Sequence, residues 1–159
     1  MDADYFYYYT SDGGFSRLAL DGTGIVEQLH DSVGNFFCTD QHIYYTEYDE
    51  NSVIEGVMQP HTKLGSTPTY DQAKGKIYCM NKDGTEKRLI RDDFKKWAFY
   101  EIFISGDYLY ACAYFYDDLL EGKSLNESSK FLRVRIDSPD AEWEILGDGA
   151  LNTLTMTGG

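Results

Sequence analysis

The side chains with the clearest potential for chemistry in this 159-residue chain are three histidines, three cysteines and several adjacent carboxylates. His30, His42 and His61 have no ligand spacing between them, and a metal site needs three or four converging ligands, so each reads as a surface or loop histidine. Asp49-Glu50-Asn51-Ser52-Val53-Ile54 opens in the manner of a calcium loop. Ile54, however, stands where the sharp turn of such a loop requires glycine, which leaves solvated loop charge as the reading and a weaker calcium site built from loop carboxylates as the alternative. Cys38, Cys79 and Cys112 are isolated within apolar runs and read as small buried hydrophobes, not as a disulfide framework. Asp92-Asp93 and Asp117-Asp118 are neighbours in sequence. In a strand they would point to opposite faces, and in a loop they repel, so neither makes a catalytic dyad. No nucleophile elbow, phosphate-binding loop or dinucleotide fingerprint is present, and Asn126-Glu127-Ser128 is a formal glycosylation triplet and nothing more. The expectation is a protein without catalytic residues, metal or cofactor.

The bulk composition narrows the partners. A formal net charge of −13 and a pI near 4.4 set the chain against phosphate backbones and anionic membranes, so neither nucleic acid nor membrane insertion is expected. No segment approaches the ~20 apolar residues of a membrane helix. The opening Met1-Asp2-Ala3-Asp4 lacks the regions of a signal peptide, which implies a cytoplasmic protein or a start upstream of this chain. Aromatic residues make up 16% of the chain, including 14 Tyr and 9 Phe, and these favour pleated strands; with only three prolines, the reading is many short strands joined by tight turns.

Self-similarity organises those strands. Asp4-Tyr5-Phe6-Tyr7-Tyr8-Tyr9-Thr10 aligns with Gln41-His42-Ile43-Tyr44-Tyr45-Thr46-Glu47 and with Asp107-Tyr108-Leu109-Tyr110. A second set aligns without gaps: Phe15, Ile77 and Phe131 share one column, Leu18, Met80 and Val134 another, and Asp21, Asp83 and Asp137 a third. Each copy offers a short apolar strand (residues 35–39 or 101–104), an aromatic strand, an alternating strand, an Asp-Gly turn and a closing strand (residues 25–29, 86–90 or 142–146). Four antiparallel strands at a spacing near ~40 residues make one β-propeller blade. The expected fold is therefore all-β, with about three blades at residues 1–33, 34–93 and 94–147, and with residues 148–159 opening a further copy. Tyr5 to Tyr9 and Tyr108 to Phe115 show no clean in-out alternation, as expected of strands buried on both faces. Excess length falls between the second and third strands, at residues 48–74 and 116–129, and would project from one rim as hairpins or loops.

Ile43-Tyr44-Tyr45-Thr46-Glu47 resembles the Tyr-Trp-Thr-Asp repeat of low-density lipoprotein receptor type propellers, and Asp83-Gly84 and Asp21-Gly22 match its turn. With Tyr in place of Trp, the pattern is most similar to the bacterial lipoprotein-receptor-related β-propeller-like domains, over residues 4–146. The third copy departs from it, with Tyr110-Ala111-Cys112 in the strand and Asp137-Ser138 in the turn. The resemblance implies part of a six-bladed ring, a non-catalytic interaction module and a secreted or cell-surface setting. The ring would be completed by further blades of a longer chain or by a head-to-tail second copy.

The expected function is binding of a protein, peptide or cell-surface ligand on the loop-bearing rim. Tyr48, Asp49, Tyr114, Tyr116 and Asp117 are the rim candidates, since tyrosine offers contact area with a polar tip. Two alternatives stand beside it: a hydrolase or lyase sited at the propeller channel, and a spacer between other domains. Trp97 and Trp143 read as packing residues.

Overall fold

In a strand successive side chains point to opposite faces, so a strand that is apolar at every position must be covered on both sides. That condition shapes the protein. The computed structural model describes residues 4–10, 14–31, 33–47, 75–93 and 96–148. Strands account for 56% of these residues and helix for 8%, and the chain is all-β.

The strands form three antiparallel sheets in which neighbours in sequence are neighbours in space. The first sheet holds β1 (Tyr5–Tyr9), β2 (Phe15–Ala19) and β3 (Val26–His30). The middle sheet holds β4 (Phe36–Cys38), β5 (His42–Thr46), β6 (Lys76–Asn81) and β7 (Arg88–Asp92). The third holds β8 (Trp97–Ser105), β9 (Tyr108–Phe115), β10 (Ser129–Arg135) and β11 (Glu144–Asp148). Two short helices, α1 (Tyr116–Leu120) and α2 (Leu125–Ser128), link β9 to β10.

The sheets stack face to face with the middle one between the others. Ile43, Tyr45 and Met80 pack with Phe15, Leu29 and Val33 on the first-sheet side. The intervening Tyr44, Ile77 and Cys79 pack with Trp97, Phe99, Ile102, Leu109, Ala111 and Leu132 of the third sheet. Alternate residues of β5 and β6 thus serve two different cores. Fully burying side chains of this size stabilises by about 1.5–3 kcal/mol each, so the stack is held mainly by apolar contact.

Each sheet bends where its last strand pairs. The pairing of β2 with β3 shifts after Phe15, that of β6 with β7 after Ile77, and that of β10 with β11 after Phe131. Leu29, Ile90 and Leu146 are the extra residues at these bulges, which turn the last strand of each sheet. The bulges place the last strands at Val26–His30, Arg88–Asp92 and Glu144–Asp148, one or two residues later than the sequence pattern suggests. β8 is longer than expected at nine residues, because a bulge between Phe99 and Glu101 lets the strand run through Tyr100.

Two turns are built alike. Asp21 Oδ1 accepts from the N–H and hydroxyl of Thr23 at 2.9 and 2.6 Å, and Asp83 Oδ1 from those of Thr85 at 2.9 and 2.5 Å. Gly84, at φ +83°, adopts a conformation that disfavours a side chain, and a Cβ there would also crowd Leu29 of the first sheet at 3.2 Å. The third turn has Ser138 in place of glycine, and Asp137 instead pairs with Arg135 at 2.8 Å. Thr46, fully buried, accepts from the Asn35 N–H through its hydroxyl at 2.9 Å and fixes the entry to β4.

One polar cluster joins the middle and third sheets. Arg91, 6% exposed, pairs with Asp93 at 2.7 and 3.1 Å and donates to the Pro139 carbonyl at 2.8 Å. The Trp143 indole donates to Asp93 at 3.0 Å, and its ring lies 5.0 Å from the guanidinium. Trp97 and Trp143 are both buried, as packing residues. Cys79 and Cys112 are buried thiols, Cys38 is half-buried, and none of the three is in a disulfide.

Arg91→Ala leaves the half-buried Asp93 carboxylate with the Trp143 indole but without its cation, and is expected to destabilise by about 1.5–3 kcal/mol. Adding Asp93→Asn to it should recover part of the loss in urea unfolding, because the stranded charge is then gone. The turn hydrogen bonds from Thr23 and Thr85 hold the Asp21 and Asp83 carboxyls below their ordinary 3.8. A carboxyl lowered in the folded state stabilises above its unfolded value and loses that contribution as pH falls through its folded value. Unfolding measured from pH 5 downward should therefore show an acid-side loss of stability that is shallower in Asp21→Asn and Asp83→Asn.

Candidate functional site

Among the described residues, the connection from β9 to β10 departs furthest from a plain meander. Instead of a hairpin or loop it folds into the two helices, and the reason is local. Ser124 caps α2: its hydroxyl donates to Glu127 Oε2 at 2.6 Å, and its backbone N–H donates to the same oxygen at 2.9 Å. The Glu127 N–H returns a bond to Ser124 Oγ at 3.4 Å, completing a capping box. These bonds from Ser124 hold the Glu127 carboxyl below its usual range. Ser128, fully buried, donates through its hydroxyl to the Ser124 carbonyl at 2.9 Å. Gly122, with φ +83°, turns the chain between the helices. Lys123 bridges back to Asp118 at 2.5 Å and to Glu121 at 3.4 Å, and its ammonium is held above the ordinary range chiefly by the Asp118 bond.

The insertion is tied to the strands beneath it. The Tyr116 N–H donates to the Lys96 carbonyl at 3.1 Å, on the connection between β7 and β8. Lys130 donates to the Glu127 carbonyl at 3.1 Å and pairs with Asp148 at 2.7 Å. The surface left facing solvent carries Asp117, Glu121, Asn126 and Glu127, with Leu120 57% exposed among them.

The rim residues expected from sequence are dispersed. Asp117 is exposed in the first turn of α1. Tyr116, one residue earlier, is buried at 5% exposure, so its ring is not presented to a ligand. Tyr114 stacks on Tyr100 at 4.7 Å, and the Tyr100 hydroxyl lies 2.7 Å from Ser129 Oγ. Burial pushes the Tyr100 phenol up to about 12. Tyr48 and Asp49, with residues 48–74 that link β5 to β6, lie outside the described residues, as do His61 and residues 149–159. His30 and His42 are strand residues, not loop residues: His30 Nε2 lies 2.6 Å from Glu47, and His42 sits edge-on to Tyr44. Among the described residues no group of three His, Cys, Asp or Glu side chains converges as a metal site would require, and no helix is long and apolar enough to cross a membrane.

A groove that the sequence does not announce lies where β1, β4 and β8, the first strands of the three sheets, come together. It encloses about 400 Å³ and is lined by Tyr9, Phe36, Phe37, Glu101, Ile102 and Phe103. The Tyr9 hydroxyl donates to the Gly34 carbonyl at 2.9 Å beside it. Four aromatic rings and one carboxylate suit an apolar group carrying a positive charge.

Neither the protein-family models nor the curated proteins contain a match to this chain.

Ser124→Ala removes the α2 cap and should weaken the helix by about 1 kcal/mol. Amide hydrogen exchange is expected to quicken over residues 124–128 while the β9 and β10 amides keep their protection.

Proposed function

We propose that the three sheets are propeller blades and that the chain is a non-catalytic interaction module. In this reading it engages a basic protein or peptide on the rim that carries the β9–β10 insertion. The observation that carries the reading is the β9–β10 insertion. A capping box, a buried serine and an ion pair fix it in shape, while its solvent face presents Asp117, Glu121 and Glu127 around the exposed Leu120. A connection that only had to join β9 to β10 would need none of these. The blade assignment draws support from the shared meander order of the sheets, the bulge after Phe15, Ile77 and Phe131, and the matching Asp21 and Asp83 turns. The net charge of −13 supports a cationic ligand and a salt-sensitive association.

Binding to arrays of basic and acidic peptides tests the rim. The wild-type chain should retain basic peptides, and the double variant Asp117→Lys with Glu121→Lys should lose them by about tenfold or more. Identical retention by the two proteins, or none by either, would leave the spacer reading in its place.

A further inference from the structure

Two sheet faces have no counterpart among the described residues, one at each end of the stack. On the third sheet the side opposite Leu109 and Ala111 carries Phe103, Tyr108, Tyr110, Phe131 and Arg133. Phe103 stacks on Tyr110 at 4.9 Å with nearly parallel planes, and Tyr110 lies 6.0 Å from Phe131. On the first sheet the side away from the middle sheet carries Phe6, Leu18 and Val26 in one cross-strand row, with Phe6 58% and Val26 54% exposed.

The internal packing shows what such faces do. Where the middle sheet covers the first, Arg17 donates to Glu27 at 2.6 Å, lies 4.1 Å over the Tyr5 ring, and reaches across to the Lys82 carbonyl at 2.9 Å. Lys82 begins the turn whose Gly84 rests on Leu29, the bulge residue of the first sheet. The third sheet repeats this unit on its uncovered face. Arg133 donates to Glu144 at 2.6 Å and lies 5.0 Å over Tyr108, and Leu146 is the bulge residue. Tyr5, Arg17 and Glu27 therefore correspond by register to Tyr108, Arg133 and Glu144. Coverage is the difference: Arg17 is 12% exposed where Arg133 is 35%, and Leu29 is 9% exposed where Leu146 is 39%.

The face needed to cover that unit is also present. Ile43 with Met80, and Leu109 with Val134, are the cross-strand pairs that the middle and third sheets turn toward the sheet before them. Phe6 with Leu18 is the corresponding pair of the first sheet, with Phe6 exposed and Leu18 half-buried. The turn beside it has open space at Gly22, where Gly84 meets Leu29.

We propose that the third sheet of one copy docks on the first sheet of a second copy, head to tail, with the packing that already joins the first sheet to the middle one. Arg133 then donates to the Leu20 carbonyl of the second copy, as Arg17 does to that of Lys82, and Leu146 seats beneath Gly22. Asp21 of the same turn brings a carboxylate toward the face holding Arg133 and Arg135. The contact is heterologous, so it leaves one free face of each kind until a ring closes. It is independent of the rim reading, since neither face includes the insertion.

Light scattering over a range of concentrations, at a salt level that screens the acidic charge, tests this on the full chain. The wild type should associate. Phe6→Asp and Leu146→Asp, each at an exposed position, should separately weaken association by about tenfold or more, with circular dichroism unchanged. Mixing the two variants should restore a dimer and nothing larger, because each retains the face the other has lost. Arg133→Ala should weaken association in the same direction. A wild-type monomer at every concentration overturns the proposal, as does a mixture that stays monomeric. Association blocked by Leu146→Asp yet indifferent to Phe6→Asp would mean like faces meeting, and overturns it equally.

Discussion

The constraint on which the structure depends is that the middle sheet has no solvent face. Its two central strands must be apolar at odd and even positions alike, since Ile43 and Tyr45 serve one core while Tyr44 and Ile77 serve the other. A sheet of this kind cannot stand alone, because either face left bare would expose a continuous apolar surface. The first and third sheets are therefore structural requirements of the middle one. The bulge in each sheet follows from the same need, since it turns the last strand and lets Leu29 and Ile90 reach the neighbouring core.

Polar groups set the register of the stack that apolar contact holds together. Arg17 and Arg91 each cross from one sheet to a backbone carbonyl of the next, at Lys82 and Pro139. Both meet connections that follow the third strand of a sheet, so the same kind of segment is gripped at each interface. A backbone carbonyl accepts wherever it is correctly placed, whatever side chain the residue carries. That explains how the third connection can hold Asp137-Ser138 where the others have Asp-Gly and still be fixed in place.

Much of this is legible in the amino-acid sequence, for identifiable reasons. Strands apolar at every position, such as Ile43 to Tyr45, declare burial on both sides, and Asp-Gly followed by threonine declares a turn closed by its own side chains. The last strands are harder to place, because Val26, Leu89 and Ile145 are exposed and give little alternation to read. A bulge residue is also indistinguishable from its neighbours in a linear string, which accounts for boundaries displaced by one or two positions. The helices of the insertion are four and five residues long, too short for a helical period to register. The one local sign was Ser124-Leu125-Asn126-Glu127, the spacing of a capping box. The groove beside Glu101 was hidden for a different reason: its walls come from three sheets, and no stretch of sequence holds them together. Tyr116 shows the converse difficulty, since a tyrosine next to an insertion gives no hint whether it faces ligand or core.

The lengths of the connections also bear on how the chain folds. β8 and β9 are joined by the two residues Gly106 and Asp107, so the longest pair of strands closes its loop at the smallest entropic cost. β5 and β6 have the whole segment between Thr46 and Lys76 to close before they pair. Nucleation therefore favours the third sheet, whose exposed apolar side then serves as a template on which the middle strands zip, and the first sheet is added last. The order of assembly runs against the direction in which a ribosome delivers the chain. β1, aromatic at all five positions, is then the first strand made and among the last to be covered.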